Sequence, residues 1–174
     1  RDRLRPQIAA PDVWLLFAPV KRARTDFIIE KAVELGVSRL QPVFTRRTAS
    51  ERIRTDRMQA NAREAAEQSE RLDIPEALDG APLASVLDGL GDRRIMFCDE
   101  RGGARPAAAA LRDAGPGPWA VLIGPEGGFA PEESQMLRDR AGAVPVSLGP
   151  RILRADTAAV AALSIWQYTL GDWA

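Results

Sequence analysis

Histidine is absent from this 174-residue chain, and there is one cysteine, Cys98, and one tyrosine, Tyr168. Without imidazole there is no serine–histidine or cysteine–histidine couple, no histidine metal site and no acid or base that titrates unaided near neutrality. A single thiol excludes an intramolecular disulfide framework and a multi-thiolate zinc site, so no metal is expected. Proton transfer is left to a carboxylate, a perturbed lysine, Tyr168 or water. Long hydrophobic runs are missing too, and the first residues carry no secretory pattern, which predicts a soluble cytoplasmic protein with no membrane partner. Excess charge of either sign is lacking, since 24 basic side chains balance 24 acidic ones. A uniformly basic coat for nucleic acid is excluded, and a polyanion has to meet a local patch.

Such a patch is present. Residues 1–57 hold 13 basic and 7 acidic side chains, and the remainder holds 11 and 17. The cations gather at Lys21, Arg22 and Arg24 and again across Arg46, Arg47, Arg52, Arg54 and Arg57. Nearly all are arginine, whose planar fork suits phosphate and stacks on bases. A solvated arginine-rich surface remains an equal alternative for these clusters.

Short apolar runs alternate with amphipathic stretches. Strands are predicted over residues 13–17, 40–44, 94–98, 119–123 and 144–148, and helices over 26–35, 56–71, 106–112, 131–140 and 155–170. Thr25 or Asp26 is expected to cap the first helix and Gly36 to end it. Residues 81–92 and 115–118 read as connections. At 18.9 kDa with 45% apolar residues the chain suffices for one cored domain. Strand–helix alternation of this kind predicts an α/β domain with a largely parallel sheet.

Two segments stand out. Val121-Leu122-Ile123-Gly124-Pro125-Glu126-Gly127-Gly128-Phe129 runs from an apolar strand through a glycine turn toward a helix. It is neither a Walker loop nor a Gly-x-Gly-x-x-Gly fingerprint. Glu126, Glu132 and Glu133 also place negative charge where a phosphate would sit, so a neutral or cationic ligand held by main-chain groups is expected. Ser147-Leu148-Gly149-Pro150-Arg151-Ile152-Leu153-Arg154-Ala155-Asp156-Thr157 repeats the strand–glycine–helix plan. Glycine turns leaving successive strands are predicted to wall one pocket at the carboxyl edge of the sheet.

These two motifs, Ile123-Gly124-Pro125-Glu126-Gly127-Gly128 and Leu148-Gly149-x-Arg151-Ile152-Leu153-Arg154-x-Asp156-Thr157-Ala158, resemble those of the knotted SPOUT methyltransferases. Lys31-Ala32-x-Glu34-Leu35-Gly36-Val37, Glu64-Ala65-Ala66-Glu67-Gln68-Ser69-x-Arg71 and Pro75 narrow the resemblance to the ribosomal RNA small subunit methyltransferase E family. The resemblance implies a C-terminal trefoil knot, S-adenosylmethionine as cofactor, a homodimer, and methylation of N3 of a uridine in 16S ribosomal RNA. It also implies an N-terminal RNA-binding β-barrel. Residues 1–11, opening Arg1-Asp2-Arg3-Leu4-Arg5, are then expected to be the linker from it, and the whole chain a single methyltransferase domain. Asp156 stands where the family usually has glutamate. A methyltransferase of the same fold acting on transfer RNA, or a noncatalytic RNA-binding module, is the alternative.

Under this reading Leu122, Ile123, Gly124, Pro125, Glu126, Gly127, Gly128, Leu148, Gly149, Arg151, Ile152, Leu153 and Thr157 are expected to hold the cofactor, with Gly124, Gly127 and Gly149 allowing close approach. Uracil N3 attacks well once its proton is lost, so a fixed cation beside the carbonyl oxygens would lower the barrier. Arg154 is the first candidate for that cation, with Arg151 or Arg71 second. Glu126, Asp156 or water would take the proton. Lys21, Arg22, Arg24, Arg46, Arg47 and Arg71 are expected to face RNA. Cys98 reads as a buried structural thiol, and Asp99-Glu100 as a solvated loop, with a place in the lining of the pocket as the alternative. The closing helix, with Ala158, Ala159, Ala162, Leu163, Ile165 and Trp166, offers more apolar surface than one side of a small domain needs, enough to meet a second copy.

Overall fold

A computed structural model describes residues 9–49, 52–99 and 103–173; the expected linker and Glu100 thus lie wholly or mostly outside the described residues. The order is β1 (Val13–Phe17), α1 (Arg22–Glu34), β2 (Arg39–Phe44), α2 (Thr55–Gln68), β3 (Glu76–Ala77), β4 (Ala81–Pro82), α3 (Leu83–Gly89), β5 (Arg94–Cys98), β6 (Arg105–Pro106), α4 (Ala107–Ala114), β7 (Trp119–Ile123), α5 (Pro131–Asp139), β8 (Ala143–Ser147) and α6 (Ala155–Leu170). The strands form one sheet in the order β3-β2-β1-β7-β5-β8-β6, with β4 also pairing β2. Every ladder is parallel.

Period-two alternation along the strands builds two apolar layers. Leu15, Phe17, Met96, Val121 and Ile123 pack into one cluster with Ile28 of α1, Met58 of α2, Leu111 of α4 and Trp166 of α6. Leu16, Ile95, Phe97, Ala120 and Leu122 point the other way, onto Leu83 and Leu87 of α3 and Leu137 of α5. Because central strands are covered on both faces, they read as continuous apolar runs, and for that reason β1, β5 and β7 match their expected bounds.

The winding direction reverses at β5. From β5 the chain passes through α4 to β7 on one side; from β7 it passes through α5 to β8 on the opposite side of β5. A parallel sheet opens a crevice at the carboxyl ends of its strands where this happens.

Several elements depart from expectation: α2 ends at Gln68 rather than at 71, and the two-residue strands β3, β4 and β6 fall outside the expected set. Helix α1 starts at Arg22, one turn before Asp26, with Lys21 at its N-cap and no capping side chain. Thr25 does not cap; its hydroxyl turns back to the Val20 carbonyl and accepts from the Val20 amide, both at 3.1 Å. The early start winds Arg22 and Arg24 into the first turn. Residues 81–92, read as a connection, contain the seven-residue α3, whose two buried leucines at a four-residue interval are too brief a period to stand out.

Candidate cofactor pocket

A cavity of about 710 Å³ opens at that crevice, within the range of small-molecule sites. Residues 122–129 after β7 and 146–155 after β8 form facing walls. Strand β5 runs between them, and Phe97, Cys98 and Asp99 make the floor. The two glycine turns therefore do meet around one hollow, although their strands are not neighbours.

The turn after β7 is fixed by its surroundings. The Gly128 amide donates to the Pro125 carbonyl at 2.9 Å, and Gly128 has φ of 68°, in the left-handed region open to glycine. A Cβ on Gly124 would stand 2.9 Å from the Phe129 ring, so only glycine lets that ring close over the end of the strand. Arg24 donates to the Glu126 carboxylate, and Arg47 donates to the Gly127 carbonyl at 2.7 Å. Glu133 is buried at the first turn of α5. It accepts from the Ala130 amide at 2.9 Å and from the Arg46 amide at 2.8 Å, joining the helix start to the segment after β2. Arg46 also pairs with Glu132 at 3.5 Å. The three carboxylates expected to repel a phosphate are thus all engaged by the arginine-rich segments.

The turn after β8 is looser. Gly149 has φ of 113° with nothing near the position of a Cβ, and its amide donates to Ser147 Oγ at 3.2 Å. Ile152 is 94% exposed beside the cavity. Arg151 and Arg154 line the cavity, are exposed, and have no ion-pair partner among the described residues. Arg154 supplies the N-cap of α6, where its carbonyl accepts from the Ala158 amide.

Most of the expected cofactor residues line this hollow, as do Glu126, Arg154, Arg24 and Arg47. Asp156 and Thr157 do not; the Asp156 carboxylate accepts from the Thr157 amide at the start of α6. Arg71 stands apart as well. Its guanidinium, 12% exposed, donates to the Val33 and Val37 carbonyls at 2.6 and 3.1 Å and pairs with Asp73 at 2.6 Å, bracing the end of α1. Two floor residues differ from their expected roles. Cys98 is half-buried and faces the cavity rather than sealed in the core. Asp99 is 9% exposed and accepts from Arg138, where a solvated loop was expected. The only sequence signal for the β5 floor is the position of Asp99 just after a strand, because nothing in the residues after Phe97 shows that β8 crosses to its far side.

An RNA methyltransferase domain model matches residues 8–167. The ribosomal RNA small subunit methyltransferase E of Aquifex aeolicus is 31% identical over 169 residues, covering 94% of this chain and 72% of that protein. The chain belongs to the ribosomal RNA small subunit methyltransferase E family. The Bacillus subtilis enzyme of the same name is 32% identical, with 90% of this chain and 65% of the relative covered. Among solved structures, that family's member from Neisseria gonorrhoeae bound to S-adenosylmethionine superposes with a TM-score of 0.85 at 31% identity, over 94% of this chain and 68% of that one. The chain spans about two thirds of the length of its curated relatives. No helix among the described residues is long and apolar enough to cross a membrane.

Proposed function

We propose that this protein transfers a methyl group from S-adenosylmethionine to N3 of a uridine in small-subunit ribosomal RNA. The observation that carries the reading is the convergence of both glycine turns on one hollow at the switch point of the sheet. Its fit to the cofactor rests on chemistry: apolar floor atoms of Phe97, Leu122 and Val146 suit a flat ring, and main-chain edges of the turns suit a ribose and adenine. When bound, S-adenosylmethionine supplies an electrophilic methyl carbon on a positively charged sulfur.

The protein's part is position and charge. Holding uracil N3 in line with the methyl carbon removes much of the entropic barrier. Arg154, without an ion-pair partner among the described residues and projecting from the start of α6, stabilises the negative charge that spreads onto the uracil carbonyl oxygens as the N3 proton leaves. Glu126 lines the cavity and Asp156 does not, which favours Glu126 over Asp156 as the acceptor of that proton. Arg24 and Arg47 line the cavity, Lys21 and Arg22 open the same helix as Arg24, and Arg46 adjoins Arg47 and pairs with Glu132; these five present the basic face for RNA. The knot, a dimer built on α6, a single-domain chain joined to an RNA-binding barrel, and a cytoplasmic location belong to the same reading.

Incubation of the protein with labelled S-adenosylmethionine and undermethylated small ribosomal subunits, followed by mapping of the product, tests it. N3-methyluridine in the small-subunit RNA is expected. Label on a ribose oxygen or only on transfer RNA would replace the substrate assignment, and absence of cofactor binding would leave a noncatalytic RNA-binding module.

A further inference from the structure

A second cavity, of about 390 Å³, lies between the first turn of α1 and the approach to α2. Among the described residues its lining includes Lys21, Arg22, Arg52, Arg54 and Arg57 and one acid, Asp26. That acid is already engaged, accepting from Arg57 at 2.7 Å and from Asn61 at 3.0 Å. Arg54 is tied to Asp56 at 2.5 Å and holds that carboxyl below its usual range. Lys21 and Arg22 have no ion-pair partner among the described residues.

Two helix starts add to the charge. Neither α1 nor α2 has a capping side chain, and their N-caps, Lys21 and Arg54, both line the hollow. Each brings roughly half a positive charge, although at α1 the Arg24 amide already donates to the Lys21 carbonyl at 2.9 Å and at α2 Asp56 stands in the first turn. Arg57 further carries a buried Nε with no acceptor among the described residues. Even with Arg54 and Arg57 paired, cations and helix ends outnumber acids around the hollow among the described residues, which matches it to an anion.

We infer that this second hollow is a phosphate site that grips a backbone phosphodiester of the RNA substrate, next to the methyl-transfer pocket. The inference rests on the RNA reading above and extends it from a basic face to a defined anchoring point. The same helical turn serves both hollows: Lys21, Arg22 and Thr25 line the second, while Arg24 lines the first and pairs with Glu126. A strand clamped at one side of this turn is therefore presented to the cavity on the other side. Arg52 and Arg57 join the RNA-contacting set. Phosphate contacts of this kind fix register and carry no base sequence, which suits a site beside the chemistry rather than in it.

The test uses fluorescence anisotropy with a single-stranded oligouridylate over a range of salt, inorganic phosphate as competitor, and calorimetry with S-adenosylmethionine. The variants are Arg22→Ser with Arg52→Ser, and the charge-keeping Arg22→Lys with Arg52→Lys. The serine pair is expected to weaken RNA binding by roughly 25-fold at 0.1 M salt and to flatten the salt dependence by about 1.4 in log–log slope, about 0.7 for each single-strand phosphate that is no longer neutralised. The lysine pair is expected to keep most of both, with cofactor affinity unchanged throughout. RNA binding by the wild type with an unaltered slope in the serine pair would overturn the phosphate site and leave the methyltransferase reading standing. Inorganic phosphate that binds the hollow without displacing RNA would overturn it in favour of a free-anion site. Failure of the wild type to bind RNA would remove the RNA reading itself, and this site with it.

Discussion

The turn after β7 is tied to two other parts of the molecule, whereas the turn after β8 is held chiefly by its own strand and helix. Arg24 from α1, Arg47 from the segment after β2 and the Phe129 ring all brace the first, and Glu133 anchors the helix that follows. The second has only the Ser147 hydroxyl, which accepts from the Gly149 amide and donates to the Gly149 carbonyl, with a glycine at positive φ, an isoleucine in solvent and two arginines without ion-pair partners among the described residues. Both line one cavity. A preformed wall costs little to order when a ligand arrives, while a loose wall supplies the groups that close on it. The comparison assigns rigidity to the β7 turn and exposed charge to the β8 turn, and under the proposed function the first would place the cofactor and the second would face the substrate.

Each prediction strains one side of that contrast. The largest effect belongs to Arg154→Ala, which is expected to lower single-turnover methyl transfer by about 10²–10³-fold while cofactor affinity measured by calorimetry holds. An unchanged rate would mean that the loose wall carries no catalytic charge. Next comes Glu133→Ala. Two amides, of Ala130 and Arg46, lose a buried carboxylate, and urea denaturation is expected to show a loss of roughly 2–4 kcal/mol. Stability equal to the wild type would show that the β7 wall is not braced through α5. Gly149→Ala places a side chain at φ of 113° and is expected to cost on the order of 1–3 kcal/mol in the same assay, through strain alone, since no atom crowds the site. The smallest effect is Ile152→Ser, expected to stay within about 0.5 kcal/mol of the wild type because the side chain is not packed in the subunit. A larger loss would show that the β8 turn is more firmly seated than its exposure implies.

The legible and illegible parts of the fold divide along the same physical line. Central strands buried on both faces leave uninterrupted apolar runs, and Val13–Phe17, Arg94–Cys98 and Trp119–Ile123 match their expected limits. Helix α6 does too, since its apolar residues recur from end to end. Helix α1 is misjudged at its start because Thr25, a good capping residue by type, spends its hydroxyl on Val20 and leaves Lys21 to begin the helix uncapped. At the site, the glycine turns announce themselves by composition. The contacts that define their environment do not: Arg24 reaches Glu126 across 102 positions and Arg46 reaches Glu133 across 87. Such separations are set by strand order, and the passage of β8 to the far side of β5 has no local signature. Asp99 shows the cost of that gap, because its burial follows from the floor it occupies and not from its neighbours in the chain.

Titration calorimetry of S-adenosylmethionine against the wild type, Gly124→Val and Gly149→Val tests the central claim, that both turns enclose one cofactor, most directly. Valine at 124 would drive the Phe129 ring off the braced wall, and valine at 149 would force the loose wall out of its left-handed bend. The account predicts that each folded variant loses measurable affinity. Wild-type affinity in either one would contradict it.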